Sequence, residues 1–298
     1  MKTQLPTDPL DEAIIDIPER YLELDLVPEV APTIGARKAG ATGKYIPISY
    51  FRRLVADLMH FSAKVPCATI ERHMDLADLV AARRACTPPP TWSAIFARAY
   101  AAVAAITPPL RTSYLGFPWP RFYENAVNIA TLNVDRQLAG ERVILYAHVP
   151  SPESLTLQEL DVIINAHRYD PVDSIRSYCS AYRLSRVPWP FRRLLWWAAL
   201  NVFGSVRCDH FGTFGISTLG VLGAGITRLT PLLTTQLHYG MFDAAGGLDM
   251  RLSFDHRVLD GATAAVALAD MEDVLRGEIT RECTEAARNA TIPLGEIA

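Results

Sequence analysis

The stretch from Met250 to Leu275 changes its hydrophobic period partway along, and that change fixes the local fold. Met250, Leu252 and Phe254 alternate with polar neighbours, the pattern of a strand with one buried face, whereas the apolar run from Ala264 to Leu275 has the continuity of a helix. Between them lies Ser253-Phe254-Asp255-His256-Arg257-Val258-Leu259-Asp260-Gly261-Ala262. The pattern predicts that His256 sits where a strand ends. Imidazole titrates nearest neutrality, so a histidine there is suited to take a proton and return it, as a general base does. Asp260, four residues on, is placed to hold the local backbone or a nearby arginine. Gly261 reads as the turn residue before the last helix.

The chain has 298 residues, half of them apolar, enough to bury the core of one large domain. Its formal charge of -3 gives no basic field for a polyphosphate backbone, so no nucleic-acid partner is expected. The five cysteines, Cys67, Cys86, Cys179, Cys208 and Cys283, are widely spaced and form no Cys-x-x-Cys pair. This usage suits a reducing cytoplasm, and no metal is expected. There is no signal-like N-terminus and no apolar run of about 20 residues that would span a bilayer. Residues 1–45, rich in proline, glycine and acids, read as a flexible lead-in to a single domain over 46–298. Neither a phosphate-cradling Gly-x-x-x-x-Gly-Lys loop nor a dinucleotide fingerprint is evident, so ATP, NAD and any tightly bound cofactor are not expected.

Periodicity predicts helices over 49–63, 76–86, 91–106, 155–167 and 262–276. It predicts strands over 67–75, 122–134, 141–149, 212–218, 235–242 and 248–255, with a turn at Ala244-Ala245-Gly246-Gly247 and an irregular region after residue 167. Pro88-Pro89-Pro90 and Pro108-Pro109 bracket the alanine-rich third helix. A mixed order of this kind fits an α/β, or α+β, two-layer mixed-sheet sandwich with flanking helices.

The spacing His-x-x-x-Asp-Gly after Asp-His-Arg resembles the active-site signature of the dihydrolipoamide acyltransferase catalytic domain of 2-oxoacid dehydrogenase complexes. Chloramphenicol acetyltransferases share its core. Three further stretches resemble the same family in order. Gly212-Thr213-Phe214-Gly215-Ile216-Ser217-Thr218-Leu219-Gly220 is similar to its serine-bearing strand. Ile48-Ser49-Tyr50-Phe51-Arg52-Arg53-Leu54-Val55-Ala56 is similar to its first helix. Val127-Asn128-Ile129-Ala130, with Leu155-Thr156-Leu157-Gln158-Glu159-Leu160, is similar to its central strand and the following helix. The resemblance spans about residues 45 to 280.

This resemblance implies a chloramphenicol acetyltransferase-like fold, assembled as a homotrimer or a trimer-based assembly, that transfers an acyl group from a thioester to a thiol, hydroxyl or amine without a covalent enzyme intermediate. It implies His256 as general base and Ser217 as the hydroxyl that steadies the oxyanion, with Thr218 the adjacent rival. Asp260 is implied as a brace paired with an arginine of the first helix, Arg52 or Arg53. It implies an acyl-coenzyme A as co-substrate, a carrier-protein thioester being the alternative donor. The lead-in is too short for a lipoyl domain, so the expected acyltransferase is not a full dehydrogenase-complex component. A non-catalytic oligomeric scaffold is a second reading, opposed by the joint presence of His256, Asp260 and Ser217. A peptide-synthetase-type condensation enzyme is a third, opposed by the chain length and by Asp255 where those enzymes place a second histidine.

Residues 182–207 depart from the family's short, charged connection. Trp189, Phe191, Leu194, Leu195, Trp196, Trp197 and Phe203 stand among Arg183, Arg186, Arg192, Arg193 and Arg207. Two expectations follow: a helix packed on the protein's own core or on a neighbouring subunit, or a peripheral membrane contact through 189–203 that would make a cytoplasmic protein membrane-associated.

Overall fold

A computed structural model describes residues 43–138, 140–217 and 232–291. The chain divides into Met1–Ser49 and Tyr50–Ala298, and the architecture below is that of the second unit. Most of the expected lead-in lies outside the described residues. The elements are α1 (Tyr50–Ser62), β1 (Cys67–Asp75), α2 (Ala77–Ala85), α3 (Trp92–Ile106), β2 (Thr112–Leu115), β3 (Arg121–Glu124), β4 (Ile129–Leu138) and β5 (Glu141–Pro150). They continue with α4 (Leu157–Tyr169), α5 (Arg176–Arg186), α6 (Trp189–Asn201), α7 (Gly204–Phe211), β6 (Phe214–Ser217), β7 (Thr235–Tyr239), β8 (Gly247–Asp255) and α8 (Gly261–Val274). A π-helical turn at Leu275–Ile279 then leads into α9 (Thr280–Thr291).

Among the described residues, six strands form one mixed sheet in the order β1-β8-β7-β6-β4-β5, and β2 pairs with β3 in a separate ribbon. The β4–β6 and β6–β7 pairs are parallel and the other sheet pairs antiparallel. Alternation along each strand divides the side chains between two faces. Leu132, Ile216, Leu237, Met250, Leu252 and Phe254 enter the main core, where α3 and α8 pack against each other and α9 joins them. Alanines on both central helices, Ala97 and Ala101 on one and Ala264 and Ala267 on the other, are fully buried and allow the backbones to approach closely. Thr91 accepts from the N–H of Ala94 to cap α3, and its hydroxyl donates to Asp161. The opposite side of the sheet carries polar residues: Asn133, Ser217, Gln236, His238, Arg251 and Ser253. This is the expected two-layer sandwich with flanking helices.

The structure differs from the sequence expectations in several places, and β2 at Thr112–Leu115 is a strand that periodicity did not predict. The strand expected over 122–134 is two strands, because Asn125 and Asn128 give their amides to the carbonyls of Arg111 (2.6 Å) and Ala101 (3.1 Å) and break the ladder between them. The irregular region after residue 167 contains the helices α5, α6 and α7, of which one, within 182–207, was expected. In α6 the arginines point inward, which hides the usual helical stripe. The last helix does not end near 276 but continues through the π turn to 291. Among the described residues no helix is long and apolar enough to cross a membrane.

His148 on β5 supplies a pH dependence. Burial, with smaller contributions from His167 and His210, pushes its pKa down to about 4. In the unfolded chain it titrates near 6.5. Between these values the unfolded chain binds a proton that the folded one refuses, so stability rises with pH across this window and is lost as pH falls from about 6.5 toward 4. Thermal unfolding should therefore move to lower temperature between pH 7 and pH 5. His148→Gln should make that dependence shallower, and an equally steep slope in the variant would reject the assignment.

Candidate active site

The end of β8 is built around a buried carboxylate. Asp255 is fully enclosed, and its oxygens accept from Arg257 Nε (2.9 Å), Arg257 Nη2 (2.6 Å) and the Arg257 backbone N–H (3.0 Å). The Asp255 carbonyl accepts from the N–H groups of Val258 and Leu259, closing the turn. The Arg257 guanidinium lies over the Tyr114 ring at 4.1 Å. Beneath it Arg207, also buried, donates to the carbonyls of Tyr114 (2.7 Å) and Leu232 (3.0 Å). Burial lowers the pKa of Arg207 to about 10, with the Asp255 charge opposing that shift and the Arg257 charge adding to it. Two guanidinium groups thus depend on one carboxylate.

This turn presents His256 to solvent. Its backbone N–H donates to the carbonyl of Pro66 (2.8 Å), and its ring packs edge-on to Phe254 with centroids 5.5 Å apart. Nδ1 lies 2.9 Å from the carbonyl oxygen of Leu259. A carbonyl only accepts, so Nδ1 carries the proton and Nε2 is left with the lone pair. The imidazole's tautomer and ring orientation are thus fixed by its own turn. Asp260 caps α8, accepting from the N–H of Thr263 (2.8 Å), and this bond holds its carboxyl below the usual range. Where the resemblance implies an arginine partner for Asp260, the protomer gives it Thr263. Arg52 and Arg53 lie on the first turn of α1, and Arg53 stacks over the Tyr50 ring at 4.9 Å. The acid–arginine pair of this turn is Asp255 with Arg257. Gly261 opens α8, and a Cβ there would meet nothing within 4 Å, so the protomer itself does not require the glycine.

Ser217 ends β6 on the polar face of the sheet. The sharp entry into β6 depends on Gly212, whose φ of +84° and closeness to Thr131 Oγ1, which a Cβ would strike, exclude a side chain. Ser217 Oγ accepts from Asn133 Nδ2 (3.1 Å), which turns its own O–H elsewhere. Its carbonyl accepts from Nδ1–H of His238 (2.8 Å), a fully buried histidine whose pKa burial lowers, so that it is held neutral. Asn133 and His238 were not legible as site residues, because neither stands in a motif and both read as ordinary strand positions. Thr218 lies outside the described residues.

His256, Asp260 and Gly261 therefore share one turn, but Ser217 is not with them. Ser217 is level with His238 and Arg251 across the sheet, two strands away from β8, and His256 lies five residues beyond Arg251. Strand rise and spacing separate the two by about 19 Å. A single protomer cannot bring both to one reacting carbonyl. Beside the His256 turn is a cavity of about 150 Å³, lined by Lys64, Tyr114, Trp197, Leu232, Arg207 and Arg257 among others. Among the described residues no cluster of histidine, cysteine or acidic side chains could hold a metal ion.

No family model and no curated protein matches the sequence. The fold has solved counterparts. A probable dihydrolipoamide acetyltransferase from Listeria monocytogenes superposes with a TM-score of 0.55 at 18% identity, over 84% of this chain and 98% of that one. A truncated catalytic core of the 2-oxoacid dehydrogenase multienzyme complex from Thermoplasma acidophilum gives 0.56 at 14% identity, over 79% and 99%. The Azotobacter vinelandii dihydrolipoamide acetyltransferase gives 0.55 at 20% identity, over 83% and 98%. The chain has the fold of dihydrolipoamide acyltransferase catalytic cores, the family its motifs resemble.

The Asp255 cluster yields a stability test. Asp255→Ala would leave Arg257 and the buried Arg207 without their counter-charge, and about 3–5 kcal/mol should be lost. Urea denaturation measures it. A loss below about 1 kcal/mol would mean that the pair does not hold the turn.

Proposed function

We propose that this protein is an acyltransferase that moves an acyl group from a thioester, an acyl-coenzyme A, to a thiol, hydroxyl or amine. The observation that carries the reading is the His256 turn: an exposed imidazole, with Nδ1–H committed to the Leu259 carbonyl, that offers Nε2 as a base at the end of a strand. In the proposed reaction Nε2 takes the proton of the acceptor as that atom attacks the thioester carbonyl. The tetrahedral oxyanion receives the O–H of Ser217. Collapse expels the coenzyme A thiolate, which regains the proton from His256. The fold supports the reading. So does the Azotobacter enzyme, which was investigated for the catalytic roles of a serine, a histidine and, four positions after the histidine, an asparagine. This chain has Ser217 and His256, with Asp260 at the corresponding spacing. Asp260 in this reading positions the turn by capping α8 and does not carry a proton.

The site is shared between two copies. The histidine end and the serine end of the sheet are different surfaces, and a head-to-tail contact that joins them repeats from copy to copy and can close as a ring. A homotrimer, which the resemblance implies, is the proposed ring. The open space above Gly261 leaves room for a neighbour or substrate beside the imidazole.

Thiol release from a panel of acyl-coenzyme A donors tests the chemistry. His256→Ala should reduce kcat by about 10² to 10⁴, the contribution of a general base, and Ser217→Ala by about 10² to 10³, that of one oxyanion donor. Equal release by the native protein and His256→Ala would reject the reading. Shared sites have their own signature: when the two inactive variants are unfolded and refolded together, mixed rings regain sites with His256 from one copy and Ser217 from another. Activity that stays at the level of the separate variants would place both groups' roles within a single protomer, against the geometry.

A further inference from the structure

The helix α6 is built with its polarity reversed. Its two arginines turn inward: Arg192 is buried and bound to Asp57 of α1, and Arg193 reaches the other oxygen of the same carboxylate at 3.2 Å. Trp196 and Leu200 on that side join Phe61 and Leu232 in a small core. The outward side carries Phe191 (62% exposed), Leu194 (59%) and Leu195 (52%), with Trp189 (59%) at the first turn. Arg193, partly exposed, is the charged residue beside them, with its guanidinium over the Trp189 ring. An exposed amphipathic helix normally shows the opposite pattern.

The apolar surface continues onto the β2–β3 ribbon. Phe117 packs on Trp197 with ring centroids 5.4 Å apart, and its N–H donates to the Asn201 carbonyl at the end of α6. Arg121 ties the ribbon down by donating to the Val202 carbonyl (3.0 Å). Trp119 and Phe122 project from this ribbon, 68% and 61% exposed. Exposed aromatic residues from two separate chain segments thus form one surface, larger than scattered surface hydrophobics account for.

Charge identifies what this surface meets. Between Asp173 and Asp209 the sequence contains six arginines, Arg176, Arg183, Arg186, Arg192, Arg193 and Arg207, and no aspartate or glutamate, in a chain whose net charge is -3. Asp57 answers two of them and Asp255 lies close to a third. Arg183 and Arg186, in the last turn of α5 just ahead of α6, are exposed, and Arg193 lies over the Trp189 ring at 5.2 Å. Tryptophan and phenylalanine in the middle with arginine at the rim match the interfacial layer of a bilayer with anionic headgroups. Packing this face on the same face of a second copy would instead bring like charges together.

We infer that the α6 and β2–β3 surface docks peripherally on an anionic membrane, with Phe191, Leu194, Leu195 and Trp119 entering the headgroup boundary and Arg183 and Arg186 pairing with lipid phosphates. The inference rests on this surface and not on the acyl-transfer reading. Trp197 borders both this surface and the cavity beside His256, so a docked protein would face the lipid with the mouth of that cavity nearby.

Flotation of the full-length protein with phosphatidylcholine vesicles, with and without phosphatidylglycerol, tests it. The protein should float with the anionic vesicles, be released by raised salt, and show a blue shift of tryptophan emission when bound. The double variant Phe191→Glu and Leu195→Glu should keep its circular dichroism spectrum and bind at least about tenfold more weakly. Arg183→Glu with Arg186→Glu should abolish the preference for phosphatidylglycerol. Failure of the native protein to float, flotation undiminished in the Phe191 and Leu195 double variant, or a fall in assembly mass in that variant without vesicle binding by the native protein would each overturn the inference. The last result would mean that protein covers this face.

Discussion

One buried carboxylate organises the turn that carries His256. Asp255 sits at the last position of β8, where the pleat directs it away from the apolar core, and it is fully enclosed. Three donors from Arg257 satisfy it, and the field of Arg207 adds to this. An ionised group in such a place is costly unless its lone pairs are used, and here they are used by the neighbouring residue's own side chain and backbone. The result is a rigid turn. It holds the Leu259 carbonyl at the imidazole of His256, and so selects which ring nitrogen stays basic. The same turn delivers Asp260 to the N-terminus of α8.

The sheet determines how far apart the two ends of the candidate chemistry must be. β6 and β7 run parallel and β8 runs against them, so a serine at the close of β6 and a histidine past the close of β8 emerge at opposite ends of the sheet. Register alone dictates this. No side-chain rearrangement crosses a gap of about 19 Å, which is why the proposed function requires a second copy.

Much of this was legible in the sequence, for identifiable reasons. The strand ending at His256 and the helix after it were readable because the hydrophobic period changes from two to nearly four residues within a dozen positions. The alanine-rich α3 was bracketed by prolines. The three helices between 176 and 211 were not readable as helices with a definite inward side: Arg192 and Arg193 face inward while Phe191 and Leu195 face outward, and no local pattern announces that a distant aspartate will receive the arginines. Asn133 and His238 were invisible for a related reason. Their importance comes from lying across the sheet from Ser217, and strand pairing is a long-range fact that neither motif nor periodicity encodes. The cap that Asp260 gives to Thr263 is a local spacing, three residues apart, that the sequence carries at the start of α8.

The seating of α6 on Asp57 also bears on the order in which the chain must assemble. The carboxylate that receives Arg192 is supplied 135 residues earlier, by α1. Until that carboxylate is in place, the side of α6 meant for burial carries two cations with no counter-charge in the protein, so seating it on the core is costly. A chain emerging from the ribosome presents α1 long before α6 appears. Synthesis from the N-terminus therefore makes the receptor before the element that needs it, and a circularly rearranged chain that reversed the two would expose its greasiest helix with nowhere to dock.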